Sequence, residues 1–275
     1  MPALNDPKYL KAEQYRDAGK LEARIRLHER FSTNPYGWFR WVFDQFDLPP
    51  FANILEIGCG SGQLWQNNLE RIPQGWHITL SDFSPGMIHD AKMNLGINRE
   101  NYCFEVCDAV GIPFRKGEFN AIIANHMLSH VPDRQAALVE FSRVLKPGGY
   151  LYTSTIGENH LIELEQLLNT ITRSMNIKYS PAFNPVEFSL ENGMQQLMPW
   201  FSQIEIHRYE DALCVNEAEP LVDYIQSMIP RENILMDDQQ TSKLTRQLED
   251  MIIRQGSIYI QKSSGIFIGR NRGLE

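Results

Sequence analysis

The stretch Asn53-Ile54-Leu55-Glu56-Ile57-Gly58-Cys59-Gly60-Ser61-Gly62 restricts this chain more than any other. A short apolar run meets one acid, three glycines then alternate with small residues, and a helical pattern follows at once. The run reads as a strand buried on both faces. The glycines read as its exit turn. Gly58 permits the sharp bend, Gly60 lets a ligand approach bare backbone, and Gly62 lets the next helix pack close. A strand of this kind needs parallel neighbours and helical cover on both sides, so the rest of the chain must supply strand–helix units.

Those units follow in order. Further strands are predicted over 77–81, 102–106, 119–124 and 150–155. One intervening helix opens at Ser84-Pro85 and turns Met87, Ile88, Ala91 and Leu95 inward. Another follows Pro132-Asp133 with Ala137, Leu138, Phe141 and Leu145 on its buried stripe. Glu56, Asp82 and Asp108 lie 26 residues apart, each at the C-terminal end of a predicted strand. Ligands of open α/β sheets bind at that edge, so the spacing puts three carboxylates on one rim. There Asp82 can accept both hydroxyls of a ribose. Asp108 can accept from an adenine amino group, while Ala109 offers its backbone N–H.

Before the glycine turn come two helical patterns. The first, about 12–30, carries Tyr15, Ala18, Leu21, Ile25 and His28 on one stripe. The second starts near Pro35 and carries Trp38, Trp41, Val42 and Phe46. They are too short for a domain and read as a lid. After the fifth strand, helices are expected over 158–175, from Ser189, over 217–228 and over 238–254, with strands at 202–209 and 265–269. The long segment between those last two strands is expected to cap the ligand edge.

Composition narrows the partners. A formal net charge of −8 with no dense basic run argues against a phosphate backbone, which needs clustered Lys and Arg. Cys103 and Cys107 flank a predicted strand with no histidine beside them, so they read as small buried thiols and no metal site is expected. The first twenty residues are polar, and no stretch reaches the length of a membrane span. These features lead us to expect a soluble, cytoplasmic chain.

The ordered set of motifs resembles a class I, Rossmann-like S-adenosylmethionine-dependent methyltransferase of the small-molecule type. The resemblance rests on Glu56-Ile-Gly58-Cys-Gly60-Ser-Gly62, Leu80-Ser81-Asp82-Phe83-Ser84-Pro85-Gly86-Met87 and Cys107-Asp108-Ala109 with Ile112-Pro113-Phe114. It rests also on Phe119–His130 and on Arg143-Val144-Leu145-Lys146-Pro147-Gly148-Gly149-Tyr150-Leu151. It covers about residues 50–157; on either side it is architectural only.

What the resemblance implies is a three-layer α/β/α fold with a mostly parallel seven-stranded sheet, an N-terminal helical lid and a helical insertion before the last strand. The whole chain, 1–275, would be one methyltransferase domain. It would comprise a lid (1–48), a cofactor-binding core (50–157) and a C-terminal sheet half with a helical cap (158–275). The implied cofactor is S-adenosyl-L-methionine, with S-adenosyl-L-homocysteine as product, and the implied acceptor is a small molecule offering an O, N or C nucleophile. The methionine part would lie over Glu56, Gly58, Cys59, Gly60 and Gly62, the ribose on Asp82, and the adenine beside Asp108 and Ala109 with Phe83 and Met87 as walls. Asn125 and His126 would stand near the sulfonium. Tyr15 and Arg24 would reach over from the front helix, with Arg24 pairing the methionine carboxylate. His126, His130 and His28 are the candidate bases. Two other readings compete. One is an NAD(P)-dependent Rossmann oxidoreductase, against which stands the Gly-x-Gly-x-Gly spacing. The other is a module that binds S-adenosylmethionine without catalysis. The oligomeric state is not readable from the sequence.

Overall fold

In the computed structural model, residues 19–96, 101–174, 187–228 and 237–273 are described. Five strands build the parallel part of the main sheet: β1 (Asn53–Ile57), β2 (His77–Asp82), β3 (Tyr102–Val106), β4 (Phe119–Asn125) and β5 (Leu145–Ile156). The strands β6 (Phe201–Tyr209) and β9 (Ser264–Asn271) complete it. The order is β3-β2-β1-β4-β5-β9-β6, and only β9 runs antiparallel to its neighbours β5 and β6. The order reverses between β1 and β4, which lead to helices on opposite faces of the sheet, the arrangement whose crevice holds ligands in such sheets. Strand β1 alternates as a two-faced strand must. Leu55 and Ile57 join a core with α5 (Arg134–Val144) and α7 (Gly193–Leu197) on one face; Ile54 joins a core with α2 (Trp38–Phe43), α3 (Gln63–Gln66) and α4 (Pro85–Leu95) on the other.

A third core lies apart from the sheet. It is built by α1 (Gly19–Phe31), α6 (Ile162–Ser174), β7 (Ala212–Val215), α8 (Ala218–Met228), α9 (Asp238–Gln255) and β8 (Ile258–Gln261). The strands β7 and β8 pair antiparallel as a separate two-stranded sheet that the sequence reading did not foresee. Each is four residues long, too short for alternation to register.

Several local expectations are corrected. The helix after the glycine turn is a single turn. The amides of Asn67 and Asn68 bond back to the Gln63 and Leu64 carbonyls, and such back-bonding competes with continuing the helix. The helix expected from residue 158 begins at Ile162, because a turn at Gly157–His160 and a left-handed Leu161 (φ 57°) precede it. Strand β5 takes in Lys146-Pro147-Gly148-Gly149, expected as a turn, as a bulge: its register on β4 jumps from Phe119–Leu145 to Ala121–Tyr150. Cys103, read as buried, is exposed because β3 is the edge strand; Cys107 is buried as expected.

Candidate functional site

The glycine turn adopts the backbone its sequence demands. Gly58, Gly60 and Gly62 have φ of 72°, 53° and 79°, all left-handed. A Cβ on Gly58 would stand 2.9 Å from Met127 Cβ, so this glycine serves close packing against the β4 exit as well as the bend. A Cβ on Gly62 would stand 3.1 Å from Leu95 of α4, the close helix approach expected of it.

The acids then tie the turn to its neighbours. Gly60 N–H donates to Asp82 Oδ2 (3.1 Å) and Ser84 N–H to Oδ1 (2.9 Å). Burial raises the Asp82 carboxyl, and these backbone donors hold it down. Glu56 is buried beneath the turn. Its Oε2 accepts from the Trp65 indole N–H (2.6 Å) and its Oε1 from Asn125 Nδ2 (3.4 Å), which joins β1 to β4 across the crevice. Burial pushes Glu56 up to about 8, against those two hydrogen bonds. Cys59 donates its N–H to Ser81 O (3.0 Å), and burial raises its thiol. The Ser61 hydroxyl is buried in the turn with no hydrogen-bond partner among the described residues.

Along the same rim Phe83 is half-buried and Met87 is buried, its N–H on the Ser84 hydroxyl that caps α4. Asp108 is exposed and its Oδ1 accepts from Val110 N–H (3.2 Å), while Ala109 is buried.

The candidate bases collect at the exit of β4. His126 is left-handed (φ 48°), with its N–H shared between Ser154 O and Oγ, both at 3.1 Å. For a non-glycine residue at a strand end this backbone is costly, and it marks the place as one worth a functional test. The His126 ring lies 5.0 Å from Trp38, which in turn meets Tyr209 at 5.4 Å. Burial pushes His126 down to about 4, with Lys262 and His130 adding to the effect. His160 is pushed to about 3 by burial, then by His126 and Lys262. His130 lies in the 3₁₀ turn Leu128–His130 directly after His126. His28 reaches the same neighbourhood from α1, 6.5 Å from the His160 ring and 5.6 Å from Tyr224. Tyr15 and the Arg24 side chain lie outside the described residues.

The sequence reading missed His160, Tyr209, Asp211 and Lys262, which complete this cluster. His160 follows the end of β5 by four residues and was within reach of the strand-end rule. Tyr209 ends β6, Asp211 lies between β6 and β7 and Lys262 between β8 and β9, and only the folded chain brings them to β4.

A seven-stranded sheet in this order, with a glycine turn and two buried acids at its switch point, defines a Rossmann-like α/β protein built to hold a nucleotide-like ligand. Residues 55–153 match the family model described as "Methyltransferase domain". Over these residues the chain is similar to methyltransferase domains. Two curated relatives align with it. "Malonyl-[acyl-carrier protein] O-methyltransferase 1" of Ilyobacter polytropus is 34% identical over 131 residues, 48% of this chain and 47% of the relative. "Ubiquinone/menaquinone biosynthesis C-methyltransferase UbiE" of Desulfotalea psychrophila is 31% identical over 112 residues, 41% of this chain and 44% of the relative. The chain thus spans a little under half the length of each. Among solved structures, the phosphoethanolamine N-methyltransferase 2 of Haemonchus contortus in complex with S-adenosyl-L-methionine superposes with a TM-score of 0.58. It does so at 17% identity, covering 96% of this chain and 59% of that one, a likeness of fold alone.

Proposed function

We propose that this chain is an S-adenosylmethionine-dependent methyltransferase acting on a small-molecule acceptor. One observation carries the reading. At the point where β1 and β4 part, a left-handed Gly60, the Asp82 carboxylate bonded to it and the partnerless buried hydroxyl of Ser61 stand together. A buried hydroxyl without a partner is costly, and a polar ligand over the turn would supply one. The residues present therefore fit the cofactor. Glu56, Gly58, Cys59, Gly60 and Gly62 would underlie its methionine part. Asp82 keeps lone pairs for ribose hydroxyls, since an ionised carboxylate has about four acceptor sites. Asp108, Ala109, Phe83 and Met87 would take the adenine, and Asn125 and His126 would border the reacting end.

When bound, S-adenosylmethionine supplies a sulfonium methyl group for in-line displacement. The chain's own work is orientation, exclusion of water and custody of a proton. His126, uncharged at neutral pH, can take a proton from an O–H or N–H acceptor; His130 and His28 are the other candidates. The printed names of the relatives include O-methyl and C-methyl transfer, so kinship leaves the accepting atom open. The net charge of −8 supports an acceptor other than nucleic acid. No described helix is long and apolar enough to cross a membrane. For this chain we retain one functional unit: a front lid (1–48), a core (50–157) and a capping C-terminal half (158–275). A cytoplasmic setting is part of the same reading.

The test is calorimetry with S-adenosylhomocysteine and NAD side by side, followed by labelled methyl transfer into a pooled metabolite extract. Binding of the first alone, with label in an acceptor, is the expected result. Preference for NAD would favour the oxidoreductase. Cofactor binding with no labelled acceptor would favour the non-catalytic module.

A further inference from the structure

We propose that the acceptor is a small carboxylic acid with a flat apolar body, and that Lys262 holds its carboxylate; this rests on reading the β4 rim as the methyl-transfer site. Lys262 lies between β8 and β9, and its side chain is only 8% exposed. An ammonium has three donors and no acceptor. Among the described residues Lys262 commits one of them, to Asp211, and its Nζ stands 5.9 Å from the centre of the Tyr209 ring. The Asp211 side chain is fully buried and has donors in plenty. It accepts from Ser32 Oγ (2.7 Å), Thr33 Oγ1 (3.3 Å), Asn34 N–H (3.1 Å) and Ala212 N–H (2.8 Å). The pair is lopsided: the carboxylate is amply served, while the ammonium has two donors unspent in a place where charge is costly to bury.

The surroundings match one kind of guest. Lys262 helps depress both His126 and His160, which places its charge within electrostatic reach of the candidate base. Trp38 lies against His126 and Tyr209, and its buried indole N–H has no partner among the described residues. An ammonium with spare donors, an unpaired indole N–H and two aromatic faces make a receptor for a carboxylate on a flat apolar body. The rim acids do not offset this, because Glu56 and Asp82 are engaged within the glycine turn.

The test uses benzoate and its neutral counterpart benzamide as probes, titrated calorimetrically into the full chain with and without saturating S-adenosylhomocysteine. Wild type is expected to bind benzoate at least about tenfold more tightly than benzamide, the worth of one charge-assisted hydrogen bond. Lys262→Met should lose about that factor for benzoate while binding S-adenosylhomocysteine as wild type does. Asp211→Asn should hold or tighten benzoate, because it frees the ammonium. Equal binding of the two probes would overturn the proposal, and so would an unaffected Lys262→Met. Equal losses in both variants, with lowered melting temperatures, would also overturn it by showing that the pair only braces the lid. If wild type fails to bind S-adenosylhomocysteine, the methyl-transfer reading falls. Lys262-dependent benzoate binding would then keep the anion site, and its absence would remove that too.

Discussion

Asp82 and Glu56 sit one strand apart, and burial raises both carboxyls. Asp82 is held by backbone donors, two of which belong to the turn and the α4 cap. Replacing it with alanine should weaken S-adenosylhomocysteine binding by ~1–3 kcal/mol, measured by calorimetry, since charge-assisted bonds are lost and Gly60 N–H is released. Unchanged affinity would remove Asp82 from the site. Gly60→Val forces a β-branched residue to φ 53° and should abolish binding while far-UV circular dichroism is kept. Glu56, raised to about 8, binds a proton in the folded chain between about 4.5 and 8 that the unfolded chain releases, so its contribution is lost as pH rises through that window. His126 and His160 act oppositely. Folded they stay neutral down to about 4 and about 3, whereas unfolded they charge below about 6.5, so stability falls as pH drops below that value. Melting temperature should therefore peak near pH 6.5, the ordinary histidine value, and Glu56→Gln should flatten the alkaline side and steepen the acid side down to about 4.5. A Glu56→Gln profile with the same alkaline fall would count against the buried carboxyl as its source. The glycines and both acids were legible from their spacing. The use of the Asp82 carboxylate as a clip on Gly60 was not, because a side chain's rotamer depends on what surrounds it.

Among the elements, α3 is a single turn that owes its place to what it carries. Trp65 is fully buried and donates to Glu56 from within the helix. Trp65→Phe should keep the packing but leave one buried carboxyl oxygen unserved, costing ~1–3 kcal/mol in denaturant melts. A loss below about 0.5 kcal/mol would show that water or another donor replaces the indole. The strand–helix units were legible because a period of two and a period near four persist over enough residues. The elements that escaped are short. Strands β7 and β8 are four residues each, and α3 ends where two asparagine amides bond back to its carbonyls.

Among the described residues, the buried apolar side chains form two cores on the faces of the sheet and a third built by α1, α6, β7, α8, α9 and β8. A unit with its own core can open without unfolding the sheet. Leu248→Ala, at a fully buried site in α9, should cost ~2–5 kcal/mol and speed amide exchange in α1, α8 and α9 while β1 and β4 stay protected. Uniform acceleration across the sheet would show that lid and sheet unfold together. His160, Tyr209 and Lys262 come from the chain beyond β4 into the neighbourhood of His126 and Trp38.

The sequence by itself determined what depends on neighbours along the chain: the parallel strands, the left-handed glycine turn, and the acids of β1, β2 and β3 set at one edge by equal spacing. Tertiary structure alone decided the pairing of Lys262 with Asp211, the meeting of His126 with Trp38, and the burial that moves Glu56 up and His126 down. Those depend on which distant segments exclude water from one another, and no local period encodes that.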